Sequence, residues 1–427
     1  MNNQTLNFKH FLFCLLVISF PFIFFFKSFV INAYLFIFLF FLFNYNFRTT
    51  IFQKKYLLLW FFYLICIASS AFSDFPFYSL KSSLPFIRFL FFSMGLSFIF
   101  LTDEKYFKYF IYSILFILVC LTLDSFYQII YGYNIIGYEY KDPRSSSFFG
   151  DELIMGGYVK SFLPIIAGYF LITYNYNKLI KNIFILSILM FGILLIIMSG
   201  ERTAVIQIFL FIIILYLSIG IRKKFINIFL IIIIISSSSV ILLNEKFRHR
   251  LIRDTLVHIG FNDQEVKTFK YISIIHTNFY KVGFKIFNDN KLIGIGPKNF
   301  RNVCNYPQYK IINKKASEAN NKNIYYNTCS THPHNFYLQV LSETGSIGLL
   351  SLFSFFLFIS YKIISFAYNK NFKNKENLNT YVFLMYLSIF INIFPLAPSG
   401  SVFSTYLGTL LFLPIAIINY FQNKKLV

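Results

Sequence analysis

Five of the six histidines in this 427-residue chain fall between residues 244 and 335. That stretch opens on a basic cluster, Lys246, Arg248, His249, Arg250 and Arg253, and runs through His258 and His276. It continues through Leu292-Ile-Gly294-Ile-Gly296-Pro-Lys298-Asn-Phe-Arg301 and closes on Cys329-Ser-Thr-His332-Pro-His334-Asn335. Imidazole exchanges a proton near neutral pH, and guanidinium binds oxyanions through a fixed fork of donors. The residue types therefore point to proton transfer and anion binding.

Taken singly, each candidate has a plainer reading beside the chemical one. Arg202 follows an apolar run, in Ser199-Gly-Glu-Arg-Thr-Ala204. It pairs with Glu201, or reaches lipid headgroups, or clamps an anion, because a charge at that depth needs a partner or solvent. His276 by itself reads as an interfacial histidine. His334 and Asn335 stand before a helix that starts at Phe336, where free N–H groups and the helix dipole favour an anion. A histidine there serves as a general base for a hydroxyl, or the segment is a helix cap with solvated histidines. His332 and His334 supply two metal ligands, but no nearby cysteine or carboxylate set completes a site. Glu343, in Glu-Thr-Gly-Ser-Ile-Gly348, is embedded in an apolar helix and needs a partner, for which Arg202 or a histidine is suited. Gly294-Ile-Gly-Pro297 is too short for a dinucleotide fingerprint and reads as a tight turn.

The rest of the chain must position these groups, and it is hydrocarbon-compatible. Hydrophobic residues make up 57% of it and mean hydropathy is +0.63, well above a soluble domain. Apolar runs long enough to cross a bilayer recur. The fold class expected is an all-α polytopic membrane protein, because barrel strands would alternate polar and apolar residues. Twelve helices are predicted at about 11–26, 28–46, 56–72, 84–101, 106–130, 153–173, 182–199, 203–220, 225–243, 336–361, 379–396 and 402–421. The first is read as uncleaved, since no small-residue cleavage site follows it.

A net charge of +22 raises nucleic acid as a partner, but its placement argues against it. With the N-terminus in the cytoplasm, six cytoplasmic segments are basic: Arg48/Lys54/Lys55, Lys105/Lys108, Lys178/Lys181, Arg222–Lys224, Lys362–Lys375 and Lys424/Lys425. This is the positive-inside rule. It makes 1–427 a single integral membrane domain with a small periplasmic loop at 131–152 and a large one at 244–335, between helices 9 and 10. Within the large loop, helical stretches are expected near 245–258 and 264–288. There a Cys304–Cys329 disulfide is chemically allowed, neither required nor excluded. A transporter would want ionisable residues at mid-membrane, and Asp124 and Arg88 are the main candidates. No internal repeat suggests inverted halves.

The residues Gly294–Arg301 with Cys304, then Cys329–Asn335 and Glu343–Gly348, resemble the signature of the O-antigen ligase / O-antigen polymerase superfamily. Ser199–Ala204 resembles its outer arginine motif. The resemblance implies an inverting membrane glycosyltransferase of the GT-C type in the bacterial inner membrane, with its active site facing the periplasm. It implies no nucleotide sugar, cofactor or required metal. The donor would be a glycan on undecaprenyl diphosphate. A ligase passes it to lipid A-core in lipopolysaccharide biosynthesis; a polymerase passes it to another lipid-linked repeat unit. The pattern at 332–335 and 343–345 looks closer to ligases. Arg202 matches the arginine that engages the diphosphate, and His334 the general base. His276 falls where many members carry a second arginine, so His276 itself, or Lys281, Lys285 or Arg301, would supply that charge. His332 and Glu343 complete the expected substrate-binding set. Alternatives of another class are a polysaccharide transporter or flippase, and a non-catalytic scaffold.

Overall fold

In the computed structural model, residues 3–25, 31–35, 56–173, 178–218, 244–258, 274–312, 329–368 and 377–424 are described, with isolated positions between 227 and 242. All regular structure among them is helical. The main elements are α1 (Asn3–Ser19), α2 (Leu57–Ala71), α3 (Pro76–Ser83), α4 (Ile87–Thr102), α5 (Glu104–Tyr131), α6 (Met155–Thr173), α7 (Lys178–Met198) and α8 (Arg202–Ser218). Then come α9 (Glu245–Arg248), a π turn (His249–Arg253), α10 (Asp254–His258), α11 (Ile274–Asp289), α12 (Phe300–Val303), α13 (Phe336–Tyr368), α14 (Asn377–Asn392) and α15 (Thr405–Lys424).

Among the described residues, four helices are long and apolar enough to cross a membrane: Pro76–Thr102, Glu104–Tyr131, Phe336–Tyr368 and Thr405–Lys424. Shorter apolar helices run at His10–Phe22, Leu57–Ala71, Ile183–Met198, Arg202–Ser218 and Asn379–Asn392. The expected helices at 28–46 and 225–243 lie largely outside the described residues, as does the run Ser236–Ser239. Exposed faces carry Phe61, Leu64, Phe116, Leu123, Leu350 and Leu357. Such apolar exteriors suit lipid and not water.

The bundle packs α4 along α15, α6 against α7 and α14, α1 against α5, and α13 against α2, α11 and α14. Aromatic rings fill the core: Phe20 stacks on Phe92 at 5.4 Å, and Phe89 on Phe412 at 5.8 Å. Gly168 and Gly408 lie against the rings of Tyr381 and Phe89, at distances where a Cβ could not fit. Small residues that admit a neighbour closely are a usual means of joining helices in lipid.

The decisive feature of α13 is a break. Gly345 has φ 68°, and the turn 291–296 docks there. Ser346 N–H donates to Lys291 O (2.8 Å), Ile295 N–H to Ser342 O (3.1 Å) and Gly296 N–H to Glu343 O (2.8 Å). Ser69 Oγ donates to the carbonyls of Ile293 and Glu343. Backbone at this depth is tolerated only when its polar groups are satisfied within the protein, and the docking turn satisfies them. A Cβ on Gly345 would lie 2.1 Å from Leu292 O, and one on Gly294 2.4 Å from Glu343 C. The two glycines thus make the lock between the loop and α13.

Candidate active site

His334 is the last residue but one before α13. It is one of three non-glycine residues with positive φ among those described, at 58°, with Lys298 and Ser147 the others. A left-handed L-residue costs on the order of 1 kcal/mol or more and tends to mark a site where geometry matters. Its carbonyl accepts from Ser399 N–H at 2.9 Å, which fixes the backbone. Its imidazole lies 4.3 Å from the His332 ring, 5.5 Å from His276 and 5.2 Å from Phe279, centroid to centroid. Nε2 is 3.1 Å from Ser330 Oγ. Burial holds the His334 imidazole below its ordinary value. His332 is pushed down to about 4 by burial first, then by the neighbouring His334 and Arg301. Neutral imidazoles are therefore the resting state, which is what a proton acceptor requires.

Asn335 is the cap of α13: its Oδ1 accepts from Tyr337 N–H (3.0 Å) and Leu338 N–H (3.1 Å), and its Nδ2 donates to Pro395 O. The N–H groups expected to draw an anion are thus taken by an ordinary Asn cap. An anion at this end would have to be held by side-chain cations.

Those cations stand in two clusters. The first surrounds Arg202, whose guanidinium lies near Thr255 Oγ1 (3.5 Å) and shares its field with Arg250 and Asp254. Arg144 feels the charges of Glu201, Arg250 and Arg202. Each has its own support. Gln128 Oε1 accepts from Ser145 Oγ and from the N–H groups of Ser146 and Ser147, while Asp124 holds Ile135 N–H and Ser147 Oγ. This sets the 131–152 loop and aims Arg144, which donates to Leu153 O. Arg250 leans on Asp254 at 3.5 Å, and its Nε is buried with no hydrogen-bond partner. Lys246 pairs with Asp142, tying the two loops together. Glu201 does not serve mainly as a counter-ion to Arg202: its Oε1 accepts Gly156 N–H at 2.6 Å, at the start of α6.

The second cluster is Arg88, Lys298 and Arg301. Lys298 lies within the fields of Arg301, Glu343 and Arg88, and Arg301 within reach of His332 and Glu343. Glu343 is fully buried. Its Oε1 accepts Phe300 N–H (3.2 Å) and its Oε2 accepts Gln339 Nε2 (3.0 Å). It is therefore a clasp on the 294–301 turn, and the expected pairing with Arg202 or a histidine is replaced by these partners. Cys304 and Cys329 form a disulfide with Cα atoms 5.2 Å apart, fastening α12 to the segment that carries His332 and His334. Lys281 is exposed on α11, and Lys285 donates to Lys310 O (3.0 Å).

Arg202 and His334 stand at the same end of the bundle. Gln207, about a turn and a half along α8 from Arg202, donates to Ile391 O at 2.7 Å. Tyr337, at the start of α13, donates to Ile393 O at 2.8 Å. The end of α14 and the residue just beyond it, Ile391 to Ile393, are their common pillar. Sequence reasoning missed Arg144, Arg250 and the buried Lys160, whose Nζ donates to Gln207 Oε1 at 2.6 Å. An ionisable residue inside an apolar helix was the available signal for Lys160; Arg250 was visible only as one of a basic run. Asp124 and Arg88 are not mid-membrane relays: Asp124 organises a loop, and Arg88 donates to Thr405 Oγ1 at 2.7 Å near the helix ends. Among the described residues, no three His, Cys, Asp or Glu side chains group as a metal site would need.

The fold and site define a helical membrane protein with a polar centre at one end. Residues 183–353 match the family model described as O-antigen ligase, and that match spans all the motifs of the resemblance. No curated protein matches the chain.

Proposed function

We propose that the chain is an O-antigen ligase-type glycosyltransferase of the bacterial inner membrane, acting on the periplasmic face. It moves a glycan from undecaprenyl diphosphate to lipid A-core with inversion and without a metal. His334 takes the proton of the acceptor hydroxyl. That oxygen attacks the anomeric carbon, the bond from carbon to the diphosphate oxygen breaks, and undecaprenyl diphosphate leaves. Arg202, with Arg144 and Arg250 beside it, balances the charge that grows on the leaving group. If Ser330 holds Nε2 in its protonated form, Nδ1 is the nitrogen that accepts the proton. His276 and Phe279 wall the base, and Arg301, Lys281 and His332 line the approach.

What supports this reading is that the elements bearing the three arginines and the three histidines are both tied to the same helix end, through Gln207 to Ile391 O and Tyr337 to Ile393 O. Reconstituted protein tests it. His334→Ala should cut transfer by about 10²–10⁴-fold, the usual worth of a general base, while lipid-diphosphate binding persists; unchanged transfer would falsify the assignment. Cells lacking the protein separate the two family chemistries. A lost ligase leaves long lipid-linked polymer, and a lost polymerase leaves single repeat units on the core.

A further inference from the structure

The Arg202 cluster serves the leaving group, and the structure holds a second set of cations, Arg301 among them, whose ligand that chemistry leaves unassigned. Arg88 comes from the start of α4, and Lys298 and Arg301 from the 294–301 turn and α12. Among the described residues no salt bridge reaches any of the three. The one carboxylate among them, Glu343, is committed to Gln339 and Phe300 N–H. The Nε atoms of Arg88 and Arg301 are buried without a hydrogen-bond partner. The cluster is also rigidly built. Ser79 Oγ donates to Pro297 O (3.0 Å), Asn299 Nδ2 to Ile295 O (2.8 Å), and Lys298 is held at φ 62°. Like charges gathered on a fixed frame, with donors left over, suit an oxyanion. The cluster adjoins His332, whose ring touches the base His334 at 4.3 Å.

We propose that Arg88, Lys298 and Arg301 form a binding site for an anionic group, phosphate or carboxylate, carried by the acceptor. The proposal rests on the glycosyltransferase reading, in which the acceptor hydroxyl must come to His334. An anion held beside His332 orients that hydroxyl, and the donor diphosphate occupies the Arg202 cluster. Two sources offer this chemistry: the phosphorylated or acidic sugars of a lipid A-core, and the diphosphate of a second lipid-linked glycan.

The test uses the full chain in neutral-lipid vesicles and reads acceptor binding without donor, so it does not depend on transfer. Phosphorylated lipid A-core should bind wild type. Lys298→Gln and Arg301→Gln should each weaken that binding at least tenfold and leave undecaprenyl diphosphate binding, read in parallel, within twofold. Phosphatase-treated core should bind wild type and variants alike. Arg301→Lys should recover part of the loss, and unchanged thermal stability shows that the fold survives. If the acceptor is a lipid-linked glycan, binding of that lipid to Arg202→Gln should persist and vanish when Arg301→Gln is added. Equal loss of undecaprenyl diphosphate binding in Arg301→Gln alone, or unaltered binding of both acceptors, overturns the proposal. So does an effect seen only when anionic lipids are added, which would assign the cluster to headgroups. Acceptor binding that depends on Arg301 in a protein unable to transfer would keep this site and remove the glycosyltransferase reading.

Discussion

At the scale of residues, function turns on which groups are charged. Burial lowers His334 from its ordinary 6.5, so its neutral form, the one the proposed base role needs, persists to lower pH than a free imidazole would. Transfer should hold at pH 6.5 and fall only below it; a profile with its midpoint at or above 6.5 would contradict this. His332, at about 4, is neutral when folded and gains a proton near 6.5 when unfolded. The unfolded state thus binds more protons, and stability present above pH 6.5 is lost as pH falls toward about 4. The Tm of wild type should drop more steeply than that of His332→Gln across this window. Replacing Arg250 with Gln should weaken donor binding and cost about 10²–10³ in transfer if it neutralises the leaving group. Arg250→Lys should recover only part, since a point charge lacks the fork. An Arg250→Gln protein as active as wild type would remove Arg250 from the site.

At the scale of elements, the site is made by a lock between a loop and a broken helix. Gly345→Ala places a Cβ 2.1 Å from Leu292 O at a left-handed φ. Neither backbone can move aside without losing the exchanged hydrogen bonds, so a loss above about 2 kcal/mol is expected. It would appear as a lower Tm and faster proteolysis within 291–301; a wild-type Tm would mean the break is not needed. The Cys304–Cys329 bridge closes a loop with a sequence separation of 25, worth about 3 kcal/mol by chain entropy. Cys329→Ser should lower Tm and slow transfer, because the segment bearing His334 loses its anchor to α12. The turn at Gly294–Pro297 and the helical character of 245–258 were legible in the sequence from glycine, proline and apolar spacing. The break at Gly345 was not. It depends on the pairing of residues 291–296 with 342–347, and no local pattern announces such a partner. Glu343 needed a partner by burial alone, yet which partner was settled only by the fold.

At the scale of the whole molecule, helix positions follow from apolar runs, and those described agree with the expected ones to within a few residues, except that α1 starts at Asn3, α13 runs on to Tyr368 and α3 precedes α4. The meeting of Arg144, Arg202 and Arg250 was not legible, because each comes from a different loop whose course is set by Gln128, Glu201 and Asp254. Orientation rests on the charge of the short loops. It predicts that Lys281→Cys reacts with an impermeant maleimide in spheroplasts, while Lys105→Cys reacts only after lysis; the reverse pattern would invert the topology. The central claim is that the arginine and histidine clusters share one lipid-linked substrate. Photo-crosslinking with an undecaprenyl diphosphate glycan bearing a photoreactive group on its first sugar tests it most directly. Mapped adducts should fall both near 250–255 or 202 and within 330–336. Adducts confined to one cluster, or found at the opposite end of the bundle, would contradict the account.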